Sequence, residues 1–284
     1  MINAINVRRT FKAGLSLFKI RVAEGLQYRI AAISGATISI FWALIEVVVL
    51  TVFFTYGNNS DGSINGMTLA QGISYIWLAQ FMVGFLGSNI DGDLLGKITG
   101  GDVGVELCRP LDLYWHWFAR TAAGKVAAVS IRGSLVLIFG AVISFAGFGS
   151  IGLGLPVTLI NFILFIISVF NALLFSTAYS MFMTSIRLGI TWGDGPIHLI
   201  GITGMVLSGA HLPLQIWPDF MQSFLRFQPF AGYLDTPAKL YVGSVTVESG
   251  LILMAFQFFW ITAFIIFGRI IMKRKLKYLV VQGG

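Results

Sequence analysis

The chain has 284 residues, of which 56% are hydrophobic and 11% charged, with a mean hydropathy of +0.84. Too little polar surface remains to coat a water-soluble globule. The formal net charge is +7, which in a soluble protein would suggest a nucleic-acid partner. Here the basic residues flank long apolar stretches, so the excess reads as an orientation signal for a membrane protein.

Residues 1–29 carry Arg8, Arg9, Lys12, Lys19, Arg21 and Arg29 against one acid, Glu24. Phe11, Leu15, Phe18, Ile20, Val22 and Leu26 recur at roughly helical spacing. The pattern predicts an amphipathic helix at the cytoplasmic interface, the alternative being a solvated basic tail. The first apolar span follows after about thirty residues and is too long for the core of a secretory signal, so it is expected to be retained.

Apolar runs near 20 residues match a hydrocarbon layer of roughly 30 Å at about 1.5 Å per residue. On that basis six transmembrane spans are expected, at 30–55, 67–86, 126–148, 155–186, 196–212 and 249–267. A turn-rich loop from Gly57 to Gly62 joins the first two. A polar cytoplasmic segment, 88–125, joins the second and third. An outer segment, 213–248, precedes the last span, and 268–284 forms a basic tail. The expected fold is an all-α polytopic bundle in a single transmembrane domain, without internal repeat or separate soluble domain.

Orientation follows from the charges. Of the nineteen Lys and Arg, only Arg226 and Lys239 fall outside in this arrangement, and Arg132 lies within span three. The positive-inside rule therefore places both termini in the cytoplasm. The outer segment is unusual. Leu214, Ile216, Trp217, Phe220, Phe224 and Phe230 make it too apolar for a solvent loop, and Pro213, Pro218, Pro229 and Pro237 break it too often for one helix. A re-entrant pair of short helices with their backbone covered by protein is expected, with a loop flat on the surface as the alternative. Trp217 and Tyr233 suit the interface.

Two charges fall inside spans. Counting from the cytoplasmic ends, Glu46 lies roughly 24 Å in and Arg132 roughly 9 Å in, too far apart in depth to pair. Arg132 is expected to snorkel to the interface. Glu46 either faces a substrate path, favouring cationic cargo, or is a structural carboxyl bonded within the bundle or a subunit contact. Trp42 and Phe53 on the same span are the next candidates for a cargo path, because aromatic side chains suit hydrophobic ligands.

No catalytic constellation is found. His116, His198 and His211 have no metal-ligand spacing, and His211 is read as at most a loop contact of Asp219. Cys108 is the only cysteine, so internal disulfides and multi-Cys metal sites are excluded. Gly96-Lys97 lacks the remaining glycine and the Ser/Thr of a phosphate-binding loop. Asp91, Asp93, Asp102 and Glu106 read as solvated helix ends, not as a cation cluster. The chain is therefore expected to be neither an enzyme nor a holder of cofactor or metal.

The order of elements, with Ile98-Thr99-Gly100-Gly101-Asp102-Val103-Gly104-Val105-Glu106-Leu107-Cys108-Arg109-Pro110-Leu111, Gln228-Pro229-Phe230 and Tyr241-Val242-Gly243, resembles the permease subunits of ABC transporters of the type-2 exporter class over nearly the whole chain. The resemblance implies a cytoplasmic-membrane permease paired with a second permease, identical or related. Separate ATPase subunits would hold ATP and Mg. A coupling helix within residues 91–112 would dock on them, with Asp102, Glu106, Leu107, Arg109 and Pro110 as its candidate residues, and Arg187 to Gly195 would add a smaller contact. The cargo would be hydrophobic or amphipathic: drug-like, peptide or lipid-linked. An ion-gradient-driven secondary transporter and a membrane-embedded lipid-modifying enzyme are the competing classes. The first calls for inverted repeats; the second calls for a polar constellation in one leaflet.

Overall fold

The computed structural model describes residues 4–56, 63–86, 90–188 and 195–277, with side chains omitted for 4–11 and Pro196. The Gly57–Gly62 loop, most of the proposed Arg187–Gly195 contact and the end of the tail lie outside the described residues. The chain is mostly helical. Five of its helices are long and apolar enough to cross a membrane.

Helix α1 (Ala4–Gln27) is followed after Tyr28 alone by α2 (Arg29–Tyr56). A strand pair, β1 (Ser63–Ile64) and β2 (Met67–Thr68), leads into α3 (Leu69–Met82), which a 3-10 turn, Val83–Leu86, extends to a span of 18 residues. Next come α4 (Gly92–Gly100), α5 (Val103–Leu107), α6 (Leu113–Phe145) and α7 (Leu159–Arg187). The chain ends with α8 (Gly195–Leu207), α9 (Asp219–Phe227), α10 (Asp235–Val242) and α11 (Val247–Leu276).

Polar caps fix five of the starts. Thr68 and Gln71 form a capping box at α3. Asp91, Asp112, Thr158 and Thr246 accept backbone N–H bonds at α4, α6, α7 and α11. Asn65 (φ 48°) and Gly66 (φ 79°) turn the β1–β2 hairpin. Asn-Gly is the residue pair that tolerates two successive left-handed conformations.

Helix α6 begins at Leu113, not at Val126. At about 1.5 Å per residue it is roughly 50 Å long, far beyond a hydrocarbon layer. The sequence from 113 to 125 was read as polar connection because it contains His116, Arg120 and Lys125. Hydropathy locates the membrane, whereas a helix continues wherever its side chains find partners. Lys125 donates to the Phe85 carbonyl at 3.0 Å, and Arg120 is paired by acids on α4.

Helix α1 is the expected basic helix, and it packs along that early part of α6. A Cβ on Gly25 would fall 2.5 Å from the Ala127 Cβ, so glycine is what permits the approach. Along α2, Ala36, Ser39, Ala43, Glu46, Val47 and Leu50 form one buried stripe, the i, i+3, i+4, i+7 pattern of a helix seated on one side. The opposite face, including Phe41, Val48, Val49 and Val52, is exposed. Nearly all of α3 is buried, and it is the centre of the main core.

Helix α8, as described, has 13 residues, about 20 Å, and is short for a crossing. The segment after it is broken as its prolines demand: single turns at Leu214–Ile216 and Pro229–Gly232 flank α9. Every residue of α10 from Asp235 to Val242 is buried except Lys239. Its carbonyl ends are met by neighbours, with Asn161 Nδ2 donating to Leu240 O at 2.8 Å and Gln71 Nε2 to Val242 O at 3.0 Å. Tyr233 is buried, edge-on to Phe175 at 4.8 Å, and does not face an interface.

Candidate coupling surface and intramembrane carboxylate

The α4–α5 segment rests on a small core of its own. Leu94 and Val103 pack with Leu113, Tyr114 and Trp117 from α6, Met181 and Leu188 from the end of α7, and Met272 from α11. Polar bonds fasten the same junction. Arg120 Nε lies 3.4 Å from Asp91 Oδ1, and its Nη2 pairs with Asp93. Arg21 of α1 also reaches Asp93, at 3.5 Å. Asp112, which caps α6, receives Arg269 of α11 at 2.8 Å. Four helices thus grip α4 and α5 from behind.

Of the residues read as coupling candidates, Glu106 is the one turned inward. It is 6% exposed, with Lys97 Nζ at 2.5 Å and both Arg109 and His116 Nε2 at 3.9 Å. The expectation that Glu106 is a solvated helix end is therefore wrong; Lys97 supplies the charge that permits its burial. Asp91 is a helix cap, and Asp93 is an exposed carboxylate held by arginines. Asp102 flanks α5 without making a side-chain cap bond. Leu107, Arg109 and Pro110 are exposed together with Val105 and Cys108. The Leu111 N–H returns to the Arg109 carbonyl at 2.8 Å, closing a tight turn over Pro110. The result is a protruding tip, apolar with one cation, on a rigid base.

Burial works to raise the Glu106 carboxyl, but the Lys97 hydrogen bond and the charges of Lys97, Arg109 and His116 outweigh it, holding the carboxyl below its ordinary value. A depressed carboxylate contributes stability that is present above the unfolded value, about 4.3, and is lost as pH falls through the folded one. An environment-sensitive probe on Cys108 should accordingly report a fixed α4–α5 tip at neutral pH. It should report loosening only at pH below the ordinary carboxylate range, and Glu106→Gln should show the loosened signal at every pH.

At the other end of the bundle lies a second polar cluster. Glu46 is 7% exposed. Gln80 Nε2 of α3 donates to its Oε2 at 3.0 Å, and His211 Nδ1 lies 2.9 Å from its Oε1. Because an ionised carboxylate only accepts, that imidazole nitrogen is the donor when Glu46 is charged. Trp42 lies beside His211, ring centres 6.4 Å apart, and is 49% exposed. His211 was read as a loop contact of Asp219; instead Asp219 accepts from Asn65. Phe53 is exposed farther along α2, outside this cluster.

Arg132 does not pair with Glu46, as expected from their depths. It does not snorkel either: its Nε and Nη2 donate to Ser39 Oγ at 3.0 and 2.7 Å, tying α6 to α2. Sequence reasoning missed Lys97, Arg120, Gln80 and Ser39 as partners. Only the Glu106–Arg109 spacing was visible locally, since the other contacts join residues far apart in the chain.

Comparison with known proteins gives one family: residues 30–283 match the model of the ABC-2 family transporter proteins. No curated protein matches the chain.

Proposed function

From the chain's membership of the ABC-2 transporter family, a family of multi-pass membrane proteins, we propose that it is the permease subunit of an ATP-driven exporter. In this reading both termini are cytoplasmic. Helices α2, α3, α6, α7, α8 and α11 form six spans, with α9 and α10 re-entrant from the outer face. The burial of α10 between α3 and α7 and the bonding of its carbonyl end support re-entry, since backbone at membrane depth must be covered by protein.

The partner is an ABC ATPase, which holds ATP and Mg2+. The tip at Val105–Pro110 docks on it, and a second permease, identical or related, completes the path. When the ATPases close, the displaced tip carries α4 and α5 with it. The shared core and the Arg120 and Arg269 pairs pass that displacement to α6, α7 and α11 as a rigid-body movement. The cargo is hydrophobic or amphipathic and passes near Glu46 and Trp42.

The observation that carries this reading is the family match, joined to an exposed apolar tip seated on its own buried base. Purification in mild detergent with the candidate ATPase tests it. Joint elution and ATP-dependent cargo movement are expected; transport that persists without any ATPase overturns the proposal.

A further inference from the structure

Glu46 stands out among the polar groups of the spans. Among the described residues its only ion-pair partner is a histidine, and neither Lys nor Arg pairs with it. Arg132 of α6, which reaches α2, is turned to Ser39. A charged carboxylate within a span is costly unless a cation or several donors compensate it. Gln80 supplies a neutral donor and His211 a titratable one, so no permanent cation compensates the carboxylate.

The approach to this charge is open on one side. Gln80 lies behind it, 4% exposed. In front lies the imidazole of His211, 48% exposed at its side chain, beside the half-exposed indole of Trp42. His211 sits just beyond α8, two residues after Gly209, whose φ is +80°, so it is carried by irregular backbone and not by a helix. The exposed imidazole and indole are the groups a ligand meets beside Glu46, in apolar surroundings, since Phe41 and Ile45 beside Trp42 are exposed on the same helix.

A buried carboxylate, an accessible indole face and an apolar approach together select one kind of ligand. An inorganic metal ion is disfavoured, because one carboxylate and one imidazole are too few ligands; among the described residues there is no group of three or more metal-binding side chains. An anion meets the wrong charge. A hydrophobic organic cation satisfies all three features: its charge pairs with Glu46, Trp42 covers it by cation–π contact, and its apolar body stays in the lipid-facing layer.

Resting on the exporter reading above, we infer that Glu46, Trp42 and His211 form a binding site for hydrophobic organic cations on the cargo path, with His211 as the partner the ligand displaces from Glu46. The test uses two ions of nearly the same shape and opposite charge, tetraphenylphosphonium and tetraphenylborate, on the permease–ATPase complex in nanodiscs. Tetraphenylphosphonium should bind and stimulate ATP hydrolysis. Glu46→Gln, which keeps the shape and one acceptor, should weaken it at least about tenfold and leave tetraphenylborate unchanged. Trp42→Ala should weaken it about three- to tenfold.

Failure of tetraphenylphosphonium to bind overturns the inference. So does a Glu46→Gln effect below twofold, or equal weakening of both ions, which is the mark of a purely structural carboxyl. If the complex still moves another cargo with ATP, the exporter reading survives that result. If no ATPase associates, that reading is what has failed.

Discussion

Replacing Asp235 with alanine should unfasten the outer segment from the bundle and cost about 3–5 kcal/mol, the usual penalty for stranding one member of a buried ion pair. Asp235 is 3% exposed and joins three parts of the fold. Its Oδ2 receives Lys239 Nζ at 2.6 Å, one turn along α10. Its Oδ1 accepts the Tyr75 hydroxyl of α3 at 3.0 Å and the Leu214 N–H at 3.2 Å. The Tyr75 hydroxyl also points at the Gly209 carbonyl, 3.1 Å away. Alanine leaves the partly buried Lys239 ammonium without a counter-ion and the Leu214 N–H without an acceptor, while the Tyr75 hydroxyl keeps the Gly209 carbonyl.

Asn at 235 should cost less, because its carbonyl still serves Tyr75 and Leu214. Asp235→Asn combined with Lys239→Met should recover part of the loss, since removing both charges removes the stranded one. Thermal unfolding in detergent checks the ranking, and hydrogen exchange over 208–242 checks its location. If all three variants melt with the wild type, the carboxylate does not hold the segment in place.

The sequence made the membrane legible but not the contacts within it. The spans at α2, α3, α7 and α11 stood out because a helix crossing lipid must be apolar for roughly 20 residues, whatever its neighbours. The beginning of α6 did not stand out. Arg120 and Lys125 look like loop residues until Asp91, Asp93 and the Phe85 carbonyl are placed around them. The sequence showed that Glu46 was deep and unusual, because depth is counted along one helix. It could not show His211, which lies 165 residues away in the chain and meets α2 only through the turn that follows α8. Arg132 illustrates the same limit. Snorkelling is the inexpensive choice for an isolated helix, and the Ser39 hydroxyl one helix away changes the preference. The motif around Arg109 correctly marked a distinct element, but not which of its residues face out: Glu106 is buried and Leu107 is exposed for reasons of packing on α6 and Lys97.

That division between inward and outward residues predicts two kinds of uncoupling. Leu107 and Arg109 lie on the protruding tip, 46% exposed and, for the Arg109 side chain, 54% exposed. Little of the permease core depends on them, so Leu107→Ala with Arg109→Ala should leave its melting temperature unchanged. The same pair should weaken association with the ATPase by about thirtyfold or more, the effect of losing about 2 kcal/mol at an interface centre. Transport should fall in proportion. Arg120→Ala should act oppositely. Arg120 is 7% exposed and makes no part of the tip; it binds the start of α4 to α6 through Asp91 and Asp93. Its loss leaves Asp91 without its cation and Asp93 with Arg21 alone, and loosens the base, so the permease should melt earlier while the ATPase still binds. Cargo should then no longer stimulate ATP hydrolysis, because a tip on a loose base absorbs displacement instead of passing it on. Pull-down, melting and cargo-stimulated hydrolysis measured on the same three proteins separate the cases. If the tip variant binds its ATPase normally, the docking surface lies elsewhere; if Arg120→Ala keeps cargo stimulation, the junction of α4 with α6 is not the route by which force enters the membrane.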